Sequence, residues 1–252
     1  MGLLLTILPE LEGLEPLGRS EHHHLDALSH TLLAVEKVSR AMEWVTLKSR
    51  DMILGPEAQL SLCYAALFHD IGKQDTYSRD EQGRVHFYHH ESFSCEAAER
   101  IMERLRFSNL TRHQVLRLIQ NHMRILNLSE ETREAALKRL VHQMGDDTPL
   151  LVHLTLADKE ASRGILASPR DEEVENHCLD ILELYKQKEI VHPPPLIRGA
   201  DVMALGFSPG PKVGEILETV RQRQVEGALT TREEALRFLE ENYSPESGGI
   251  DE

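Results

Sequence analysis

Apolar residues recur at three- and four-residue spacing over much of the chain, the period that gathers them on one side of an α-helix. Leu28, Leu32, Val35 and Val38 mark the first stripe, in a helix expected from about Leu25 to Val45. Similar stripes predict helices over roughly 57–69, 90–105, 112–124, 130–143, 149–163 and 172–190, a bundle of about seven helices. Residues 75–84 between them are polar and hold Gly83, which predicts an exposed loop able to act as a lid. Pro193, Pro194 and Pro195 lack amide hydrogens and restrict the residue before them, so a boundary is expected there. Beyond it, 198–205 and 211–224 read as short helices, with Pro211 suited to a first turn. Thr231 with Glu234 has capping-box spacing and opens a last helix to about Glu241. The expected fold is all-α: a helical bundle at 1–192, a C-terminal helical subdomain at 196–243 and a frayed tail at 244–252.

Composition agrees with helices, because aromatic residues make up only 5% of the chain while straight-chain residues are plentiful. Lys and Arg number 28 against 42 Asp and Glu, a formal charge of -14, so the whole molecule should repel polyphosphates and anionic membranes. Neither DNA nor membrane is expected as a partner, and any RNA contact must rest on a local basic patch. No stretch approaches a membrane span, and Leu3 to Leu8 is too short for a signal-peptide core, so the expected location is cytoplasmic. Cys63, Cys95 and Cys178 read as reduced packing residues.

Histidine placement carries the candidate chemistry. His69 and Asp70 follow the apolar run Ala65-Ala66-Leu67-Phe68 and precede Ile71-Gly72-Lys73, where Gly72 is expected to stop the helix. An imidazole beside a carboxylate at an apolar place is costly unless a divalent cation takes both as ligands. His30 in the first helix and Asp158 within Leu154-Thr155-Leu156-Ala157-Asp158 are two further polar groups on faces that should be buried. Lys73, one turn beyond His69, reads either as a phosphate contact or as a solvated helix-end charge. Lys159 and Arg163, four apart, form a second candidate phosphate clamp. His22, His23 and His24 either line the mouth of the site or stay solvated.

The order His30, then His69-Asp70-Ile71-Gly72-Lys73, then Ala157-Asp158-Lys159-Glu160-Ala161 resembles the HD superfamily of metal-dependent phosphohydrolases. The resemblance implies an HD-domain bundle in which His30, His69, Asp70 and Asp158 hold a divalent metal (Mn, Fe, Co, Ni or Mg). His90-Glu91 resembles the Gly-His-Glu turn of many members, with His89 here in place of the glycine, and Asn121-His122 stands where the superfamily often carries another histidine. In two-metal members these positions hold a second cation. Their other readings here are a substrate contact or capping role for His90 and a helix-dipole interaction for His122.

The flanks resemble a narrower group. Ile7-Leu8-Pro9-Glu10-Leu11, Ser29-His30-Thr31-Leu32, Pro209-Gly210-Pro211-Lys212-Val213-Gly214 and Thr230-Thr231-Arg232-Glu233-Glu234 are similar to the C-terminal HD and tail portion of bacterial CCA-adding tRNA nucleotidyltransferases and poly(A)-polymerase-like proteins. The nucleotidyltransferase head of those enzymes is not matched, so the resemblance does not carry nucleotide addition. It implies hydrolysis of a phosphate monoester or 2′,3′-cyclic phosphodiester of a nucleotide or RNA end by metal-bound hydroxide, with Asp70 and Lys73 in the catalytic machinery. A 5′-nucleotidase using the same site is one alternative. A non-catalytic RNA-binding or assembly subunit is another, with Lys212, Arg221 and Arg223 available for weak, salt-dependent tRNA contact.

Overall fold

The computed structural model describes residues 2–15, 17, 26–50, 52–129, 134–162 and 169–243. His22, His23, His24, Arg163 and the tail at 244–252 lie outside the described residues. In chain order the helices are α1 (Gly2–Ile7), α2 (Ala27–Lys48), α3 (Pro56–Phe68), α4 (Lys73–Thr76), α5 (His90–Arg104), α6 (Asn109–Asn121) and α7 (Met123–Leu126). They continue as α8 (Glu134–Met144), α9 (Thr148–Ser162), α10 (Pro169–Tyr185), α11 (Lys188–Val191), α12 (Gly199–Ala204), α13 (Pro211–Val225) and α14 (Arg232–Asn242). A short hairpin of β1 (Tyr77–Arg79) and β2 (Val85–Phe87) is the one departure from an all-α chain among the described residues. No described helix is long and apolar enough to cross a membrane.

The chain divides into two compact units, 1–130 with 147–182, and 131–146 with 183–252. In the first, α9 is buried continuously from Thr148 to Lys159, as a helix apolar on every side must be. α2 packs along it. The buried edge of α2 runs through Leu28, Thr31, Ala34, Val38, Ala41 and Val45, with Leu32 and Val35 half-buried beside it. Asp26 starts α2 by accepting a hydrogen bond from the amide of Ser29 at 2.8 Å, satisfying a donor that the first turn would leave orphaned. α3 lies against α2, α6 and α9, and α5 against α6.

The loop expected at 75–84 is instead one turn of helix followed by the hairpin. Tyr77 pairs with Phe87, Ser78 with His86 and Arg79 with Val85. Asp80 accepts hydrogen bonds from the amides of Gln82 (3.0 Å) and Arg84 (2.9 Å), and Gly83 supplies the left-handed residue of the turn at φ 79°. Strands of three residues are too short to give a readable alternation, which is why the polar composition dominated the expectation.

Gly72 does not stop the helix. α3 ends at Phe68, and Gly72 has an ordinary right-handed backbone. What it supplies is clearance: a Cβ there would lie 2.4 Å from the Ser94 amide nitrogen and 2.5 Å from the His90 carbonyl oxygen. Its own amide donates to Ser94 Oγ at 2.9 Å, so the 69–73 segment is pressed directly against the start of α5.

In the second unit, Ile197, Val202, Val213, Ile216, Val220, Leu229, Ala235 and Leu239 form a core. Residues 131–146, read from sequence with the first domain, belong here: α8 meets α11 and α13, with Arg139 paired to Glu226 at 2.7 Å and His142 to Glu218 at 3.5 Å. The capping box expected at Thr231 is present, with Thr231 Oγ1 accepting from the Glu234 amide at 3.2 Å and the Glu234 carboxylate accepting from the Thr231 amide.

Gly72→Ala is expected to destabilise the protein by at least about 2 kcal/mol, because backbone atoms rather than flexible side chains block the methyl group. Thr231→Ala should cost about 1 kcal/mol by loss of the cap. Thermal melting and urea titration of the two variants check both values.

Candidate metal centre

Five helices deliver six polar side chains to one buried place. His30 comes from α2, His69 and Asp70 from the residues ending α3, His90 from the first turn of α5, His122 from the end of α6 and Asp158 from α9. All six are at most 7% exposed. His30 Nε2 lies 3.0 Å from Asp158 Oδ1, 3.4 Å from Asp70 Oδ2 and 3.4 Å from His69 Nε2. His90 Nε2 lies 3.2 Å from Asp70 Oδ1 and 3.1 Å from His122 Nε2. The two oxygens of Asp70 therefore face different groups, Oδ2 toward His30 and His69 and Oδ1 toward His90 and His122.

The backbone decides what these rings present. Nδ1 of His69 donates to the Ala66 carbonyl at 2.9 Å, Nδ1 of His122 to that of Ile119 at 2.7 Å, and Nδ1 of His90 to that of Phe87 at 2.9 Å. A carbonyl oxygen only accepts, so Nδ1 carries the hydrogen and Nε2 of the neutral ring is a bare lone pair. The Ala66 and Ile119 carbonyls belong to the last turns of α3 and α6, where helix geometry leaves acceptor capacity to spare, and that of Ile119 takes the His122 amide as well at 3.4 Å. Lone pairs thus face lone pairs and carboxylate oxygens inside the protein, which is unfavourable unless positive charge sits among them.

The titration behaviour reports the same demand. Burial alone would pull the His69 imidazolium down, yet Asp70 and Asp158 outweigh it and hold the group at about 10. Burial and the facing imidazoles of His69 and His90 push His122 down to about 3. Burial opposes ionisation of Asp70 and Asp158, but the surrounding imidazoles, and Lys73 for Asp70, keep both well below the usual carboxylate range.

A divalent cation meets the demand for several groups at once. Ligand atoms about 2.1 Å from a common ion stand roughly 3.0–3.4 Å apart for right-angled to tetrahedral geometry, close to the spacings found here. His30, His69 and Asp158 form one group able to hold an ion, and Asp70, His90 and His122 form another.

Lys73 is also at the site, its Nζ 2.6 Å from Asp70 Oδ2. Before the cluster lies a cleft of about 280 Å³ whose walls include Val85, Phe87, Met123 and Leu126, with His86 at its edge. Sequence reasoning missed these wall residues, because the three-residue strand that carries Val85 and Phe87 is too short to give a readable alternation. Lys159 is not brought to the cluster. It is buried against Glu175 and Glu160 in a separate cleft beside Arg40 and Trp44, because adjacent helical residues point about 100° apart. A phosphate clamp using Lys159 at the Asp158 site is therefore excluded.

Fold and site together define a mainly helical protein with a buried His/Asp cluster able to bind divalent metal. Residues 76–239 match the model of the tRNA nucleotidyltransferase domain 2 family, and the chain belongs to that family. It is 31% identical over 242 residues to the A-adding tRNA nucleotidyltransferase of Deinococcus radiodurans, covering 95% of this chain and 52% of that protein. It is 37% identical over 243 residues to the CC-adding tRNA nucleotidyltransferase of Thermus thermophilus, covering 95% of this chain and 50% of that protein. The chain thus spans about half the length of the curated relatives it matches.

These relatives overturn the hydrolase expectation. Their names specify addition of nucleotides to tRNA, so cleavage of phosphate monoesters or cyclic phosphodiesters, and the 5′-nucleotidase alternative with it, does not stand. They favour the other expectation, a non-catalytic subunit related to tRNA nucleotidyltransferase.

Elemental analysis of the purified chain is expected to find one to two equivalents of divalent metal. Asp70→Asn, which weakens the carboxylate facing both groups, should reduce that content and lower the melting temperature, as chelation of the unaltered chain should also do.

Proposed function

We propose that this chain acts as an RNA-binding and assembly unit of a tRNA nucleotidyltransferase system, with tRNA as its partner in the cytoplasm. The observation that carries the reading is the alignment of 95% of the chain with half of two proteins named for adding nucleotides to tRNA. In this reading the buried cluster is an HD-type metal centre that braces five helices and does not turn over substrate. Its four imidazoles favour Fe, Co or Ni over Mg, which prefers oxygen ligands. Lys73 neutralises Asp70.

The basic groups for tRNA are few and tempered. On α13, Lys212 is paired with Glu215 at 3.2 Å, Arg221 with Glu218 at 3.1 Å, and Arg223 lies over the Phe238 ring at 4.5 Å. With a formal charge of -14 opposing them, binding is modest and depends on salt.

Filter binding of tRNA across a salt series tests this. Up to three phosphate contacts give a log–log slope no steeper than about −3, and Arg221→Ala should make it shallower by about one. Undetectable binding at low salt, or incorporation of labelled CTP or ATP into tRNA by the purified chain, would overturn the proposal.

A further inference from the structure

Aromatic residues are scarce in this chain, and the exposed ones are not scattered. Among the described residues the large hydrophobic side chains most open to solvent are Leu, Ile or Met everywhere except at Tyr77 (40% exposed), Tyr88 (66%) and Phe93 (41%). Tyr77 stands in the hairpin, Tyr88 in the turn that follows β2, and Phe93 in the first turn of α5. The segment 77–93 contains no Leu, Ile or Met at all.

The rings are also held in place. Asp80 Oδ2 accepts from Arg84 Nε at 2.7 Å and lies 3.0 Å from His86 Nε2, while its other oxygen holds the turn amides. That contact fixes the His86 ring nearly parallel to Tyr88, with an interplanar angle of 10° and centroids 5.1 Å apart. Along the cross-strand pair, Tyr77 meets Phe87 edge to face at 6.0 Å, and the Arg79 guanidinium lies 5.7 Å over the Tyr77 ring. Phe87 continues into the wall of the cleft before Asp70. Tyr77 with Phe87 and His86 with Tyr88 therefore form two separate ring pairs, each reaching the cleft through its β2 member.

We propose that the hairpin, with Tyr88 and Phe93, is a stacking platform for unpaired nucleobases of single-stranded RNA. The proposal rests on the tRNA reading above and names the surface that would take an unpaired segment. Nucleobases stack on aromatic side chains with little regard to sequence. The local charge fits bases better than phosphates: Arg79 and Arg84 are balanced by Asp80 and Glu81, so stacking and not ion pairing supplies the attraction. Exposed Tyr and Phe are found at protein interfaces too; kinship to proteins named for adding nucleotides to tRNA selects nucleobases as the occupant. His86 pre-aligns one ring with Tyr88, which lowers the ordering cost of inserting or adding a base.

Fluorescence anisotropy of labelled hexacytidylate and of labelled tRNA, with the full chain and its variants, tests the platform. Tyr88→Ala should weaken hexacytidylate binding about tenfold, His86→Ala by a smaller factor, and Tyr88→Phe should retain most affinity because the π-face remains. Tyr77→Ala gives an independent second loss. Unchanged affinity in both Tyr88→Ala and Tyr77→Ala would leave the rings to a protein partner and overturn the proposal, as would equal losses in Tyr88→Phe and Tyr88→Ala. If the unaltered chain fails to bind hexacytidylate, the platform is wrong whatever tRNA does. If it binds hexacytidylate through Tyr88 but not tRNA, the tRNA reading fails and the platform stands.

Discussion

Imidazole nitrogens and carboxylate oxygens converge at a buried place in the first unit, and positive charge must hold them together. Only a proton set or a cation can do so, and a cation satisfies more groups at one stroke. The first unit is arranged around that demand. α3 and α6 finish where their last carbonyls can pin the rings of His69 and His122, and α5 begins where Phe87 can pin His90. α9 runs through the middle, carrying Asp158 on a helix otherwise filled with apolar contacts. Gly72 belongs to the same scheme, since any larger residue would push His69 and Asp70 away from the start of α5.

Much of this was legible in the sequence. His30 and Asp158 stood out because they interrupt apolar stripes, and the stripes themselves located the main helices. Other features leave no local trace. The hairpin strands span three residues each, below the length at which alternation can be read. Spacing also fails to say which face of α9 looks at the site, so Lys159 was read with Arg163 as a phosphate clamp although the helix turns it toward Glu175. The proline run marked a real break in helix, but the company kept by α8 depends on contacts distant in sequence.

The activity was misread for a chemical reason. Residue types and their spacing specify what an ion needs, namely nitrogen and oxygen donors held close in a dry place. They do not specify whether that ion activates water or ties helices together, because both uses draw on the same ligands. Kinship to proteins that extend tRNA supplied the part of the argument that the donor set lacked. It also changes how the surface is valued. On α13, Lys212 and Arg221 are paired with neighbouring carboxylates, so flat exposed rings elsewhere gain weight as a candidate binding surface.

The interleaved path of the chain has a consequence for any attempt to exchange or excise its parts. Because 131–146 joins the residues from 183 onward while 147–182 returns to the bundle, no single cut in the backbone separates the two units intact. A break at the proline run would strand α8, leaving Arg139 and His142 without Glu226 and Glu218. Swapping the tail between homologous proteins would therefore have to carry two sequence segments together, so gene rearrangements that shuffle contiguous modules are poorly suited to diversifying this half of the molecule.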